Sequence, residues 1–224
     1  MLKETINKFG LIAILRGLCP EEALDVAGTL FQAGFRLIEV PLNSPEPFAS
    51  IRKIRDGLPE ECIVGAGTVY QLTQVGAVRD AGGTLIVMPH GDRAIIEAAL
   101  TLHLDVLPGV ATATEAFSTF SAGATLLKVF PADQLGSAVI RAWRAVLPRD
   151  VGLVPVGGID AGNLAEFCSA GALGFGIGSS LFRPGISSAA LSMRAKELMA
   201  SWLTAHSLRP IETGSILPRV ENPE

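Results

Sequence analysis

Two charged side chains stand alone in apolar stretches of the sequence and are the first candidates for chemistry. Lys128 is the only charge in 125–131, and Glu39 is the only charge in 37–44. Burial lowers the pKa of a lysine, which frees the nitrogen lone pair to attack a ketone and form a Schiff base. A strand-end lysine that extends its ammonium into solvent is the structural alternative, and position alone leaves both interpretations open.

Glu39 has the chemistry of a general acid and base. A buried carboxyl with a raised pKa can exchange protons with water, with a carbinolamine and with an enamine carbon. The alternative is a structural ion pair with Arg16 or Lys128. Arg16 directly follows the apolar run 11–15, where its forked guanidinium suits a carboxylate or a phosphate. The alternative to substrate binding by Arg16 is that it serves only as the ion-pair partner of Glu39.

Glycines late in the chain form two groups that fit a phosphate site. Gly157 and Gly158 follow one apolar run, and Gly178 and Ser179 follow the next. Backbone amides without side chains in two such neighbouring loops predict an anion site, and tight turns are the alternative. The glycine spacing in 174–178 does not match G-x-G-x-x-G, and there is no Walker A sequence, so we expect no nucleotide cofactor.

Three further residues follow apolar runs and are predicted to line the same site. Thr68 ends the stretch 65–68, where its hydroxyl and the glycine amides could hold a ketoacid carboxylate. A simple turn is the alternative there. Pro89 and Phe130 end two other runs, where they would form apolar walls around the reactive centre. For both, plain core packing is the alternative.

The elements that must position these residues recur along the chain. Eight short apolar runs predict strands, and the segments between them carry helical periodicity, as in 23–31. Continuous apolar runs are typical of parallel strands that are buried on both faces. Ala-Gly pairs end helical segments just before a strand, since glycine is favoured just past a helix end. The predicted strands are 11–15, 37–40, 63–66, 85–88, 105–107, 126–130, 153–156 and 174–177, and the pairs are 33–34, 81–82, 122–123 and 170–171.

Eight alternating strand and helix units predict an α/β fold, namely a single (β/α)8 TIM barrel over residues 1–205. The last helix is expected over 191–205. The tail 206–224 has three prolines and no helical period, so we predict an irregular C-terminal extension there. Active sites of such barrels lie at the C-terminal ends of the strands, which is where the candidate residues fall.

Composition narrows the classes of function. The 224 residues are 49% hydrophobic and 18% charged with a net charge of −4, a balance that fits one barrel-sized domain. Scattered basic residues argue against a nucleic-acid partner. Without a long apolar segment or a signal-peptide pattern, we expect a cytoplasmic protein with no membrane partner. No metal-ligand spacing joins the cysteines and histidines, so no metal is expected.

Seven segments in order resemble the 2-keto-3-deoxy-6-phosphogluconate / 6-phosphogalactonate aldolase family. The resemblance runs from about residue 10 to 200 and implies a small class I (β/α)8 aldolase that is a homotrimer and needs no cofactor. Its expected small-molecule partners are a phosphorylated keto acid, pyruvate and glyceraldehyde 3-phosphate. The segments are 12–17, 38–44, 64–69, 108–115, 127–131, 156–159 and 176–179.

The resemblance also implies roles for individual residues. Lys128 corresponds to the Schiff-base lysine and Glu39 to the proton-transferring acid and base. Arg16 and Thr68 are placed against the pyruvyl part of the substrate. The phosphate is placed among Gly157, Gly158, Gly178 and Ser179.

Two departures within the family bear on the substrate. Asn43 stands where gluconate-type members usually have arginine, and Val156 stands where they usually have threonine. Both residues match the galactonate-type members, so we expect 2-dehydro-3-deoxy-6-phosphogalactonate rather than its gluconate epimer as the substrate. A phosphosugar epimerase or isomerase on the same barrel and a catalytically silent phosphosugar-binding protein are the other hypotheses.

Overall fold

Short parallel strands alternate with helices along residues 2–207, which are the residues that the computed structural model describes. Every strand pairing among them is parallel. The strands are β1 (Leu11–Ile14), β2 (Leu37–Pro41), β3 (Ile63–Gly67), β4 (Leu85–Val87), β5 (Asp105–Leu107), β6 (Gly109–Val110), β7 (Leu126–Val129), β8 (Gly152–Pro155) and β9 (Phe175–Ile177).

The strands form two sheets. The larger sheet has six strands in the order β5-β4-β3-β2-β1-β9, and the smaller has three in the order β6-β7-β8. A parallel bridge between Val156 and Gly176 links the end of β8 to β9. The parallel alternation of strands and helices that the sequence predicts is therefore confirmed.

A short strand that was not predicted, β6, follows the fifth predicted strand after Pro108, so residues 2–207 contain nine strands where eight were expected. Residues up to Leu107 pair with β4, whereas Gly109 and Val110 pair with β7. Proline has no amide hydrogen to donate to a neighbouring strand. Its carbonyl oxygen instead accepts a 2.8 Å hydrogen bond from the Lys128 amide. Pro108 thus marks the change of partner from one sheet to the other.

Helices occupy most of the intervening segments. The N-terminal helix was not anticipated, and the last helix ends at Ser207 rather than at residue 205. The extension predicted for the tail therefore begins no earlier than residue 208, outside the described residues. The helices are α1 (Leu2–Phe9), α2 (Ala23–Gln32), α3 (Pro47–Gly57), α4 (Leu72–Asp80), α5 (Arg93–Thr101), α6 (Ala113–Ser121), α7 (Ala132–Arg144), α8 (Leu164–Ser169) and α9 (Ser188–Ser207).

The Ala-Gly pairs lie where the sequence placed them. Each alanine is the C-cap of its helix, at the ends of α2, α4, α6 and α8. Each following glycine has a positive φ, for example 110° at Gly34. A residue with a Cβ rarely adopts that conformation, so glycine ends the helix and turns the chain toward the next strand.

The apolar core has two layers because successive strand residues point to opposite faces. Ile38 and Val40 of β2 belong to the larger layer, which lies between the strands and the helices. Leu37 belongs to a second, inner layer, where it joins Ile12 and Val154 from other strands. Alternation therefore directs the side chain of Glu39 to the inner layer.

Among residues 2–207, no helix is long and apolar enough to cross a membrane.

Candidate active site

Lys128 is a buried lysine on β7. Its side chain is only 7% exposed, so it does not extend into solvent as the structural alternative required. Its Nζ lies 4.8 Å from the centroid of the Phe130 ring. Burial lowers the pKa of Lys128, the charge of Glu39 raises it, and the charge of Arg16 lowers it further. The lowered pKa favours the neutral, nucleophilic amine.

Glu39 is a buried carboxyl group on β2, and it is 2% exposed. Its Oε2 accepts no hydrogen bond from the described residues. No ion pair joins it to Arg16 or Lys128 within this part of the chain, so the structural ion pair is not observed. Burial raises the pKa of Glu39 to about 7, while the charges of Lys128 and Arg16 act in the opposite direction. Near neutral pH this carboxyl can both donate and accept a proton.

Arg16 extends from the loop after β1, and residues that follow β2 hold that loop. Its Nη1 donates a 2.7 Å hydrogen bond to Oδ1 of Asn43. The adjacent amide of Gly17 donates a 2.9 Å hydrogen bond to Oγ of Ser44. Two neighbouring residues after β2 thus position both the guanidinium and the backbone next to it.

A cavity of about 570 Å³ opens at the C-terminal ends of β7, β8 and β9. It brings together six of the residues that the sequence predicted for the site: Arg16, Phe130, Gly157, Gly158, Gly178 and Ser179. The side chains of Ile14 and Val156 contribute apolar surface from the inner layer. The predicted anion loops and the predicted cation therefore share one space.

The positions of the cavity glycines favour glycine for different structural reasons. Gly157 and Gly158 have positive φ values of 102° and 67°, so the turn itself favours glycine at both positions. A side chain at Gly158 would also meet Cβ of Asp133 at 2.5 Å. Gly178 has no positive φ, and a Cβ there would meet nothing within 4 Å. At Gly178 neither the turn nor packing excludes a side chain.

Four of the ten predicted site residues do not belong to the lining of this cavity: Lys128, Glu39, Thr68 and Pro89. Thr68 follows β3 in a left-handed conformation with φ 57°, which is uncommon for a residue with a branched side chain. Pro89 is exposed, and Phe130 is 38% exposed, so core packing is wrong for both. The backbone of Pro89 contacts Gly109, where a Cβ would lie 2.5 Å from the proline carbonyl.

Arg183 is a lining residue that sequence reasoning missed. Its Nε donates a 3.2 Å hydrogen bond to the carbonyl of Ser179. Oγ of Ser180, the residue after Ser179, donates a 2.7 Å hydrogen bond to the carbonyl of Ile159. This bond joins the two glycine loops. Closeness in sequence to the predicted loop was the available signal, because Arg183 lies only four residues beyond Ser179.

The donor groups of the cavity suit an anion rather than a metal ion. Within residues 2–207, no three or more His, Cys, Asp or Glu side chains form a group that could hold a metal. The polar lining includes glycine loops, serines, the guanidinium groups of Arg16 and Arg183, and one carboxylate, Asp160, which accepts a hydrogen bond from the Gly162 amide. Guanidinium groups and backbone amides are the usual ligands of phosphate and carboxylate groups.

The family model described as KDPG and KHG aldolase matches residues 2–192. The chain belongs to the KDPG and KHG aldolase family.

Within the KDPG and KHG aldolase family, the chain is similar to two curated bacterial proteins. It is 47% identical to the probable 2-dehydro-3-deoxy-6-phosphogalactonate aldolase of Rhizobium meliloti strain 1021, over 86% of this chain and 91% of that protein. It is 45% identical to the 2-dehydro-3-deoxy-6-phosphogalactonate aldolase of Escherichia coli K12, over 80% and 87%. A solved structure described as native KDPGal has a TM-score of 0.87 at 42% identity, over 88% of this chain and 96% of that one.

Proposed function

We propose that the protein is a class I aldolase that reversibly cleaves 2-dehydro-3-deoxy-6-phosphogalactonate to pyruvate and D-glyceraldehyde 3-phosphate. The observation that carries the proposal is the buried Lys128 amine, with a lowered pKa and electrostatically coupled to the buried Glu39 carboxyl. The curated relatives that carry this activity in their names support the choice of reaction.

Carbon–carbon cleavage follows from the chemistry of these two groups. The neutral Lys128 amine adds to the C2 ketone, and Glu39 supplies the proton with which the carbinolamine loses water. Through a water molecule, the Glu39 carboxylate then removes the C4 hydroxyl proton as the C3–C4 bond breaks. The bonding electrons move to the iminium nitrogen and leave an enamine. Protonation of the enamine at C3 and hydrolysis release pyruvate and the free amine.

Binding groups are assigned by charge and position. We assign the substrate carboxylate to Arg16 and Thr68, although Thr68 lies outside the cavity lining. Pro89 and Phe130 would form apolar walls beside the reacting carbons. The phosphate would be bound by Arg183 together with Gly157, Gly158, Gly178 and Ser179.

Borohydride reduction in the presence of pyruvate tests the proposal. We expect a covalent pyruvyl adduct at Lys128, located by peptide mass spectrometry. We expect neither adduct nor cleavage in Lys128→Met, whereas Lys196→Met should behave as wild type because Lys196 is exposed on α9. Absence of the Lys128 adduct from wild type contradicts a Schiff-base mechanism. Full turnover by Lys128→Met would favour the epimerase or isomerase hypothesis.

Preference for the galactonate substrate rests on two positions near the cavity. Val156 lines it without a hydroxyl group, and Asn43 is engaged with Arg16 rather than adding a second cation. The gluconate epimer differs only at C4, so the 2-dehydro-3-deoxy-6-phosphogluconate aldolase is the alternative. Parallel kcat/KM measurements on the two epimers decide between them. A higher value for the gluconate epimer contradicts the proposed preference.

We also propose that the two sheets complete one (β/α)8 barrel. Residues 107–109 connect β5 directly to β6, which makes them one interrupted strand in such a ring. The Val156–Gly176 bridge supports closure on the other side. A crystal structure tests this proposal, and a gap between β8 and β9 that no strand pairing closes would contradict it.

The resemblance to the aldolase family leads us to propose a homotrimer. Light scattering coupled to size-exclusion chromatography tests this assembly directly. A mass of three chains is expected, and a monomer or dimer at micromolar concentration contradicts it.

A further inference from the structure

The face of β3 that points to the inner layer carries few side chains beside Glu39. In the parallel register of β2 and β3, Glu39 pairs with Gly65 and Pro41 pairs with Gly67. Alternate residues of a strand share a face, so β3 presents Ile63, Gly65 and Gly67 to the inner layer. Two of these three positions have no side chain, at the level where the Glu39 side chain enters.

Gly67 lies against the carboxyl group of Glu39. A Cβ on Gly67 would lie 1.6 Å from Oε2, 2.3 Å from Cδ and 2.6 Å from Oε1 of Glu39. These three atoms are the nearest neighbours of that position, and all belong to one carboxyl group. The carboxyl therefore occupies the volume that any side chain at residue 67 would need.

Backbone conformation does not explain this glycine. Gly67 is a strand residue without a positive φ, in contrast to Gly157 and Gly158. Gly65 has a different packing reason, because a Cβ there would meet the carbonyl oxygen of Leu85 at 2.0 Å. Of the two glycines, only Gly67 has a titratable group in the volume that its Cβ would occupy.

We propose that Gly67 is a positioning residue for the Glu39 carboxyl. The missing side chain provides the space in which the carboxyl lies within electrostatic reach of Lys128, and a methyl group would displace it. This inference rests on the proposed aldolase function, in which Glu39 moves protons at the substrate bound to Lys128. Proton transfer needs hydrogen-bond distances of about 2.6–3.2 Å, and a displacement of about 1 Å can cost about 100-fold in rate.

Gly67→Ala tests the proposal with Gly76→Ala as the matched control. Gly76 lies on α4, and a Cβ there meets nothing within 4 Å. We expect Gly67→Ala to lower kcat about 100-fold and to slow deuterium exchange into the pyruvate methyl group by a similar factor. KM for the phosphorylated substrate and inhibition by inorganic phosphate should stay within about twofold of wild type, because the cavity is unchanged. Wild-type exchange and turnover in Gly67→Ala would overturn the proposal.

A shorter acid supplies a double-variant test. Aspartate at position 39 withdraws the carboxyl by one methylene, which lowers kcat by itself but leaves room for the alanine methyl. In a Glu39→Asp background, Gly67→Ala should therefore cause little further loss of kcat, a non-additivity that independent sites would not show. Strictly additive losses in the double variant would overturn the positioning role.

A stability measurement keeps the test valid if Gly67→Ala folds poorly. Glu39→Ala combined with Gly67→Ala removes the carboxyl from the contested volume, so the double variant should melt at a higher temperature than Gly67→Ala. Equal melting temperatures would overturn the proposed contact. Failure of the aldolase function is a separate outcome, because wild type would then form no Lys128 adduct, while the melting comparison would still report on Gly67 and Glu39.

Discussion

Nη1 of Arg16 donates a 2.7 Å hydrogen bond to Oδ1 of Asn43, which joins the segments that follow β1 and β2 beside the cavity. From the sequence, Asn43 signified only the loss of a cation that gluconate-type members have. In the structure its neutral amide orients the cation that remains. The guanidinium keeps its other donors for an anionic substrate group.

Replacing Asn43 with alanine should reduce kcat/KM by about three- to tenfold, the loss expected for one partly exposed hydrogen bond of about 1 kcal/mol. The reason is that Arg16 becomes free to leave its position at the cavity. Steady-state kinetics measure the loss. In an Arg16→Ala background, Asn43→Ala should have no further effect. An equal loss in both backgrounds would show that Asn43 acts independently of Arg16.

The pH dependence of stability should carry the signature of Glu39. Burial raises its pKa from 4.5 to about 7, so the folded protein binds more protons than the unfolded chain between these values. Stability from this group is complete below pH 4.5 and falls by about 1.4 kcal/mol per pH unit up to about 7. Urea unfolding at pH 5 to 8 should therefore show a flatter profile for Glu39→Gln than for wild type. Glu60→Gln, at an exposed position, should keep the wild-type slope.

Phe130 should help to keep the Lys128 amine neutral. Its ring centroid lies 4.8 Å from Nζ, and Phe130 also lines the cavity, so we expect the ring to separate the amine from the water there. In Phe130→Ala water reaches the amine, and the pKa of Lys128 should rise because burial is the main cause of its lowering. Loss of the cation–π contact, about 0.5–1 kcal/mol, acts in the opposite direction and is the smaller effect.

The pH profile of borohydride trapping with pyruvate measures this change. For Phe130→Ala the profile should move to higher pH, and Phe130→Leu, which keeps an apolar cover, should stay close to wild type. A profile that is unchanged or moves to lower pH in the alanine variant would contradict the covering role.

Arg183 should bind the phosphate group of the substrate. Arg183→Ala is expected to raise KM and the inhibition constant of inorganic phosphate about tenfold, because one charge-assisted contact is lost. Cleavage of the unphosphorylated substrate analogue should be unaffected. Arg194→Ala is the control, since Arg194 lies in a neighbouring groove and does not line the cavity. Equal losses for both substrates would assign Arg183 a structural role.

Val156 should influence the choice between the C4 epimers. Threonine has nearly the same shape and adds a hydroxyl group to the cavity wall. Val156→Thr should shift the kcat/KM ratio toward the gluconate epimer by about tenfold, within the range for one side-chain change in a pocket. Val156→Ala removes volume without adding a hydrogen-bonding group, so it should affect both epimers alike. An unchanged ratio in the threonine variant would exclude Val156 as a determinant.

Local sequence patterns were sufficient to predict most elements and to single out two charged side chains that the structure buries, Lys128 and Glu39. The apolar runs and the Ala-Gly helix ends depend on residues close together in the chain, and the structure confirms them at Gly34 and its three counterparts. Lys128 and Glu39 stood out because burying a single charge in an apolar strand costs free energy, so such a residue is expected to have a function. The N-terminal helix was missed because its eight residues carry too short a pattern.

Tertiary structure decided the relations that depend on register between distant strands. Four relations depend on segments that become neighbours only when the chain folds. They are the change of strand partner at Pro108, the hydrogen bond from Arg16 to Asn43, the position of Arg183 at the cavity, and the space that Gly67 leaves for Glu39. A sequence shows which side chains alternate along one strand. Which atoms lie opposite those side chains is determined only when the strands pair and the helices pack. In a close-packed interior, two groups cannot occupy the same volume.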